Sequence, residues 1–139
     1  MSQSAFIRFV KGSGVSSLSL DELKEQLYQY QEQTTRTGKQ LGWTYEEAAF
    51  PYTIETKTEG ENRWFYLKGK NEKYRYMVLG TDTEERDEEP LHYVQVVLPE
   101  GATHGDKAKA NELCKYIAKK LQAELQLFNG RTMYFNPRK

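Results

Sequence analysis

The chain has 139 residues, and 20 basic side chains balance 20 acidic ones to a formal net charge of zero. That length fits one ordinary domain over residues 1–139, with a core that needs neither metal nor disulfide. Ten Tyr, six Phe and two Trp exclude a disordered chain, and the zero balance excludes bulk electrostatics as a drive toward nucleic acid or membrane.

Ala5 to Val10 reads as a first strand, with Ala5, Ile7 and Phe9 on one face and Phe6, Arg8 and Val10 on the other. Lys11 to Ser17, holding Gly12 and Gly14, is a turn. A helix follows. Ser19 and Glu22 have capping-box spacing, Leu18 and Leu23 occupy the staple positions, and Asp21 and Glu22 place negative charge beside the positive helix end. Leu20, Leu23, Leu27, Tyr30 and Thr34 repeat at helical spacing until Gly38, a natural residue for a helix end. The connector Lys39 to Pro51 carries Trp43, Tyr45 and Phe50, and such aromatic content predicts that it lies against the body of the domain.

Three strand signals come next, at Tyr52 to Lys57, Arg63 to Lys68 and Tyr74 to Leu79. Turn chemistry at Glu59-Gly60-Glu61-Asn62 and Gly69-Lys70-Asn71-Glu72 makes them an antiparallel meander. Thr81 to Glu89 holds six acidic residues and one arginine, and it reads as a solvated loop. Tyr93 to Leu98, closed by Pro99, is a further strand. The last helix starts at a second capping box, Thr103 with Asp106, and is expected to run to Phe128 before Asn129-Gly130. Ala110, Leu113, Cys114, Ile117, Leu121, Leu125 and Phe128 then share one broad face, each well-buried Leu or Ile contributing about 1.5–3 kcal/mol. Arg131 to Phe135 is a short final strand, followed by the basic tail Pro137-Arg138-Lys139.

The predicted order is β-α-β-β-β-β-α-β. Helices that bury one stripe, joined to strands in meander, imply an α+β two-layer sandwich: a mainly antiparallel sheet with two helices. The first and last strands flank the helices, and both can sit centrally in a split βαβ arrangement.

Little in the chain carries recognisable chemistry. There is no phosphate-binding loop, dinucleotide glycine fingerprint, nucleophile elbow or paired-cysteine zinc site, so no catalytic residue, metal or cofactor is expected. The longest apolar run, Trp64-Phe65-Tyr66-Leu67, falls far short of the ~20 residues that cross a bilayer, and Met1 to Val10 lacks the pattern of a secretory leader. A lone cysteine, Cys114, points to a cytoplasmic setting, and its place on the apolar helix face makes it a small buried hydrophobe. His104 opens the last helix as a turn histidine, and His92 reads as a pairing residue at a sheet edge. Glu124 is the local oddity, because helical spacing sets it near the middle of the apolar stripe. There it either marks a functional carboxylate or pairs with Lys120 or a sheet arginine.

Most weight falls on the aromatic-basic meander. Alternation turns Phe65, Leu67, Met77 and Leu79 toward the helices and Trp64, Tyr66, Tyr74, Tyr76 and Val78 away from them, with Tyr93 and Tyr134 as additions. From Arg63 to Arg75 there are five basic residues and one acidic. The candidate binding residues are therefore Arg63, Trp64, Tyr66, Lys68, Lys70, Tyr74 and Tyr76. Three readings stay open for this face. It is an interface for a homodimer or a protein partner, where Tyr, Trp and Arg dominate the energetics. It is a stacking platform for single-stranded nucleic acid. Or the connector or first helix covers it as a second small core. The acidic segment, if folded over the meander, would neutralise it. An enzyme without a recognisable motif is a further alternative, and a deep polar pocket around Glu124 or His104 would speak for it.

The stretch Gly42-Trp43-Thr44-Tyr45-Glu46-Glu47-Ala48-Ala49-Phe50-Pro51-Tyr52, with the opening Ser4-Ala5-Phe6-Ile7-Arg8-Phe9-Val10, resembles a family of short, uncharacterised proteins from spore-forming Gram-positive bacteria. The resemblance covers nearly the whole chain. It implies a bacterial cytosolic protein with a compact two-layer α+β fold, similar to the topology of the TATA-binding protein. It implies no activity, cofactor or catalytic residue.

Overall fold

The computed structural model describes residues 3–41, 52–56, 64–70 and 72–136. Its elements are strand β1 (Gln3–Arg8), helix α1 (Leu20–Leu41), strands β2 (Tyr52–Glu55), β3 (Trp64–Gly69), β4 (Tyr76–Arg86) and β5 (Glu89–Leu98), helix α2 (His104–Lys120), and strands β6 (Glu124–Gln126) and β7 (Thr132–Tyr134). The seven described strands form one antiparallel sheet in the order β2-β3-β4-β5-β1-β6-β7. This is the expected α+β sandwich of a sheet and two helices.

Period-two burial builds the inner face. Ala5 and Ile7 of β1, Phe65 and Leu67 of β3, Met77 and Leu79 of β4, Val94 and Val96 of β5 and Leu125 of β6 are all buried in one cluster. Register lines them up across the sheet: Phe65 faces Leu79, Leu79 faces Val96, Val96 faces Ala5, and Ile7 faces Leu125. Onto this face α1 presents Leu23, Leu27 and Tyr30, and α2 presents Ala110, Leu113, Cys114 and Ile117. Both capping boxes form as the spacing predicts. The Glu22 backbone N–H donates to Ser19 Oγ and the Ser19 N–H to Glu22 Oε1, at 3.1 and 3.0 Å. Thr103 and Asp106 make the same reciprocal pair at the start of α2.

Four expectations are corrected. First, Thr81 to Glu89 is not a solvated loop. β4 runs to Arg86 and β5 starts at Glu89, leaving only Asp87 and Glu88 as the turn. Both turn residues have positive φ, 54° and 65°, the signature of a two-residue type I′ hairpin whose twist matches its strands. Second, the last helix stops at Lys120 rather than Phe128. The Ala123 N–H donates to the Ala118 carbonyl and the Gln122 N–H to that of Lys119, while Gln122 has φ 54°. That pairing is a Schellman ending, with glutamine where glycine is usual. Third, the residues beyond form β6, unforeseen, and Asn129-Gly130 turns β6 into β7 instead of ending a helix. Fourth, β1 is interior as expected, but the final strand β7 is an edge. Smaller differences affect α1, which runs past Gly38 to Leu41, and His92, which lies inside β5 opposite Thr83 of β4, its carbonyl accepting from the Phe9 N–H. The connector of residues 42–51 lies outside the described residues.

Candidate functional site

The same alternation that buries Phe65, Leu67, Met77 and Leu79 turns Trp64, Tyr66, Tyr76 and Val78 to the outer face. Tyr66 lies opposite Val78, Lys68 opposite Tyr76, and Val78 opposite Val97, so one apolar strip crosses β3, β4 and β5. The Tyr66 and Tyr76 rings meet edge to face with centroids 6.4 Å apart, a favoured geometry for aromatic pairs. Trp64 lies opposite Gly80, which adds no side chain of its own. The strip floors an open groove of about 960 Å³, bordered by Lys68, Lys70 and Arg75.

The basic border is held by the turn between β3 and β4. The Gly69 N–H donates to the Arg75 carbonyl at 2.5 Å, and a Cβ at Gly69 would run into the Tyr74 carbonyl, so only glycine fits this crossing. Beneath the turn sits Asp106, fully buried at the start of α2. Its carboxylate accepts from the Tyr52 hydroxyl at 2.5 Å, the Arg75 backbone N–H at 3.1 Å and the Thr103 N–H at 3.0 Å. The Thr103 hydroxyl in turn donates to the Lys73 carbonyl at 2.6 Å. The α2 cap therefore anchors the strand turn that carries the cations. Burial first, then the hydrogen bond to Asp106 and its negative charge, raise the Tyr52 phenol well above its ordinary range.

Of the predicted site residues, Trp64, Tyr66, Lys68, Lys70 and Tyr76 line one groove. Tyr74 borders it too, but its ring packs on Tyr52 at 5.5 Å and against Gly105, on the α2 side. Arg63 lies outside the described residues. Tyr93 shares the outer face further along, edge to face with Phe6 at 5.7 Å, and Tyr134 is half exposed on β7.

Sequence reasoning missed the other end of the face. Because β4 continues as a strand, Asp82 and Glu84 point outward beyond the apolar strip, in register with Tyr93 and Leu91. Continuing the alternation through Thr81 to Arg86 would have revealed them. Arg8 Nε donates to Glu84 at 2.7 Å and Arg8 Nη1 to Gln126 at 2.7 Å. Glu124 is on the outer face of β6, not in a helical stripe, and its carboxylate lies 3.3 Å from Arg86 and 4.0 Å from Arg8. A sheet arginine is its partner. Hydrogen bonding to Glu124 raises the Arg86 pKa, against a smaller opposing effect of burial. The acids cannot fold back over the basic turn, since the extended β4 chain from Tyr76 to Asp82, six residue steps, holds the two ends roughly 20 Å apart.

A second concavity, about 920 Å³, reaches Glu124 and includes Arg86, His92, Ser13 and Asn136. The Glu124 carboxylate is engaged by arginine, and His92 Nδ1 lies 2.9 Å from Thr83 Oγ1. His104 is exposed in the first turn of α2. Cys114 is fully buried, and burial pushes its thiol up to about 12. Among the described residues no cluster of His, Cys, Asp or Glu could hold a metal ion, and no helix is long and apolar enough to cross a membrane.

Comparison with known proteins adds the relationship. No curated protein matches the chain. A solved structure described as a protein of unknown function from Bacillus stearothermophilus is 42% identical, with 86% of this chain and 90% of that chain covered and a TM-score of 0.58. The model of a domain of unknown function, DUF1885, matches residues 3–137. With that match over nearly its whole length, the chain belongs to the DUF1885 family, whose function is unknown.

Proposed function

We propose that this protein is a non-enzymatic interaction module that takes a protein partner on the outer face of β3, β4 and β5. One observation carries the reading: Trp64, Tyr66, Tyr76 and Val78 are turned away from the core into one open groove. Covering this strip, half-buried at Trp64, Tyr66 and Val78 and exposed at Tyr76, removes apolar surface from water, and Tyr, Trp and Arg supply most of the energy at protein interfaces. The engagement of Glu124 by Arg86 weighs against a general acid or base at the second concavity. The lone cysteine supports a cytoplasmic setting, and one sheet serving both helices supports a single domain.

Single-stranded nucleic acid is the second reading, favoured by Lys68, Lys70 and Arg75 beside the rings. Asp82 and Glu84 on the same face count against it, because they repel the phosphates whose neutralisation supplies the affinity.

A photo-crosslinking residue at Tyr76, compared with one at the exposed Tyr28 of α1, tests the reading in cell extract. Discrete protein adducts from position 76 and none from 28 are expected. Identical adducts from both positions, or none from 76, would overturn it. Retention of an unstructured oligonucleotide at about 50 mM salt, lost in Lys68→Ala, would move the nucleic-acid reading ahead.

A further inference from the structure

Resting on that reading of the face, we infer that its occupant is a second copy of this chain, turned about a two-fold axis that crosses the strands near Leu79. Lys68 is level with Tyr76, three residues before Leu79, and Asp82 stands three residues after it. Lys68 therefore has an anion, Asp82, at matching distance, each roughly 10 Å from the midpoint. Between them lies the apolar strip.

With Glu84 and Glu124 engaged by Arg8 and Arg86, the face offers Lys68 at one end, an apolar middle and Asp82 at the other, and such a face complements itself when turned end for end. Two-fold interfaces have this property, each patch meeting its own copy. The rotation brings Lys68 of one copy level with Asp82 of the other, while Trp64 of each copy comes level with Tyr66 of the other. Lys68 and Asp82 belong to neighbouring strands about 4.8 Å apart, an offset that a lysine side chain spans and that the usual ~30° crossing of packed sheets reduces or widens by one strand. Within one molecule the acids are held away from the basic turn by extended β4, so only a second molecule brings the two ends together. Both helices occupy the inner face. Pairing the outer faces makes a four-layer α-β-β-α assembly that covers Tyr76 and the half-buried rings beside it. Zero net charge leaves no bulk repulsion between copies, and the separated ends set their orientation.

The test is a charge exchange read by light scattering and sedimentation. Lys68 and Asp82 are both exposed, so Lys68→Glu and Asp82→Lys leave the core intact. The wild-type chain is expected to be a dimer that weakens in high salt. Each variant alone places like charges at both symmetric contacts and should raise the dimer Kd at least about tenfold. An equimolar mixture restores opposite charges at both contacts and should recover dimer as the heterodimer. A wild-type monomer at about 0.5 mM overturns the inference. So does a dimer that neither variant weakens, or a mixture that fails to recover. Crosslinks from Tyr76 separate the two levels. Adducts with another protein on a monomeric chain leave the interface reading standing and this inference refuted, whereas no adducts at all from 76 remove both.

Discussion

Asp106 does more than cap a helix. It satisfies the Tyr52 hydroxyl and two backbone N–H groups from separate segments while itself fully buried. Removing such an acceptor strands its donors, each at about 1–3 kcal/mol. Asp106→Ala is accordingly expected to cost about 3 kcal/mol in urea unfolding, and Tyr52→Phe about 1 kcal/mol, since one donor is lost and the others remain. An Asp106→Ala loss below that of Tyr52→Phe would contradict the hub. The Thr103-x-x-Asp106 spacing was readable as a capping box from the chain alone. That β2 and the β3–β4 turn would close over it was not, because those partners lie 54 and 31 residues away. Glu124 shows the same limit. Its need for a cation was readable, but Arg8 and Arg86 come from distant strands.

At the scale of elements, the two misread segments share a cause. Asp87-Glu88 and Gln122 adopt left-handed backbone without glycine, a conformation that costs about 1–2 kcal/mol for ordinary L-residues. Sequence patterns find hairpins and helix ends through the glycine or asparagine that relieves this cost. Here neighbouring contacts impose the conformation instead: nine strand pairs over β4 and β5, and two backbone hydrogen bonds at the end of α2. The strain makes a prediction. Glu88→Gly is expected to raise unfolding stability by about 1 kcal/mol, measured by thermal melting, with no change in the packed core. An unchanged or lowered melting temperature would place the turn in another conformation. The elements with ordinary signals, the two helix starts and the alternating β3 and β4, were legible because their patterns are local.

For the whole molecule, titration links the buried Tyr52 and the half-exposed Glu112 to stability at opposite ends of the pH scale. Burial and Asp106 hold the Tyr52 phenol above its ordinary 10. The folded state keeps its proton where the unfolded chain has lost it, so this contribution is complete below pH 10 and declines as pH rises above it. Glu112 works in the opposite direction. Burial raises its pKa, but hydrogen bonds from Lys109 and Tyr30 outweigh that and hold it below the ordinary 4.5. Its contribution is present above 4.5 and is lost as pH falls through the lowered value. Urea midpoints measured from pH 3 to pH 11 should fall at both ends, with Tyr52→Phe flattening the alkaline limb and Glu112→Gln the acid one. A limb unchanged by its substitution would assign the loss to other groups. The burial that raises the Tyr52 phenol also divides the sheet into its two faces.

By itself the sequence determined the composition of those faces. Side chains alternate every second residue in a strand, so the choice of residues at 64–68 and 76–79 settles which rings share a side. It also determined where both helices begin, since a capping box is complete within four residues. Only the tertiary structure decided the order of the strands, the placement of β7 at an edge and β1 inside, and the extension of β4 that puts an acidic end on the same face as a basic one. Those features depend on contacts between residues far apart in the chain, and their energies exist only once the sheet has assembled around its core.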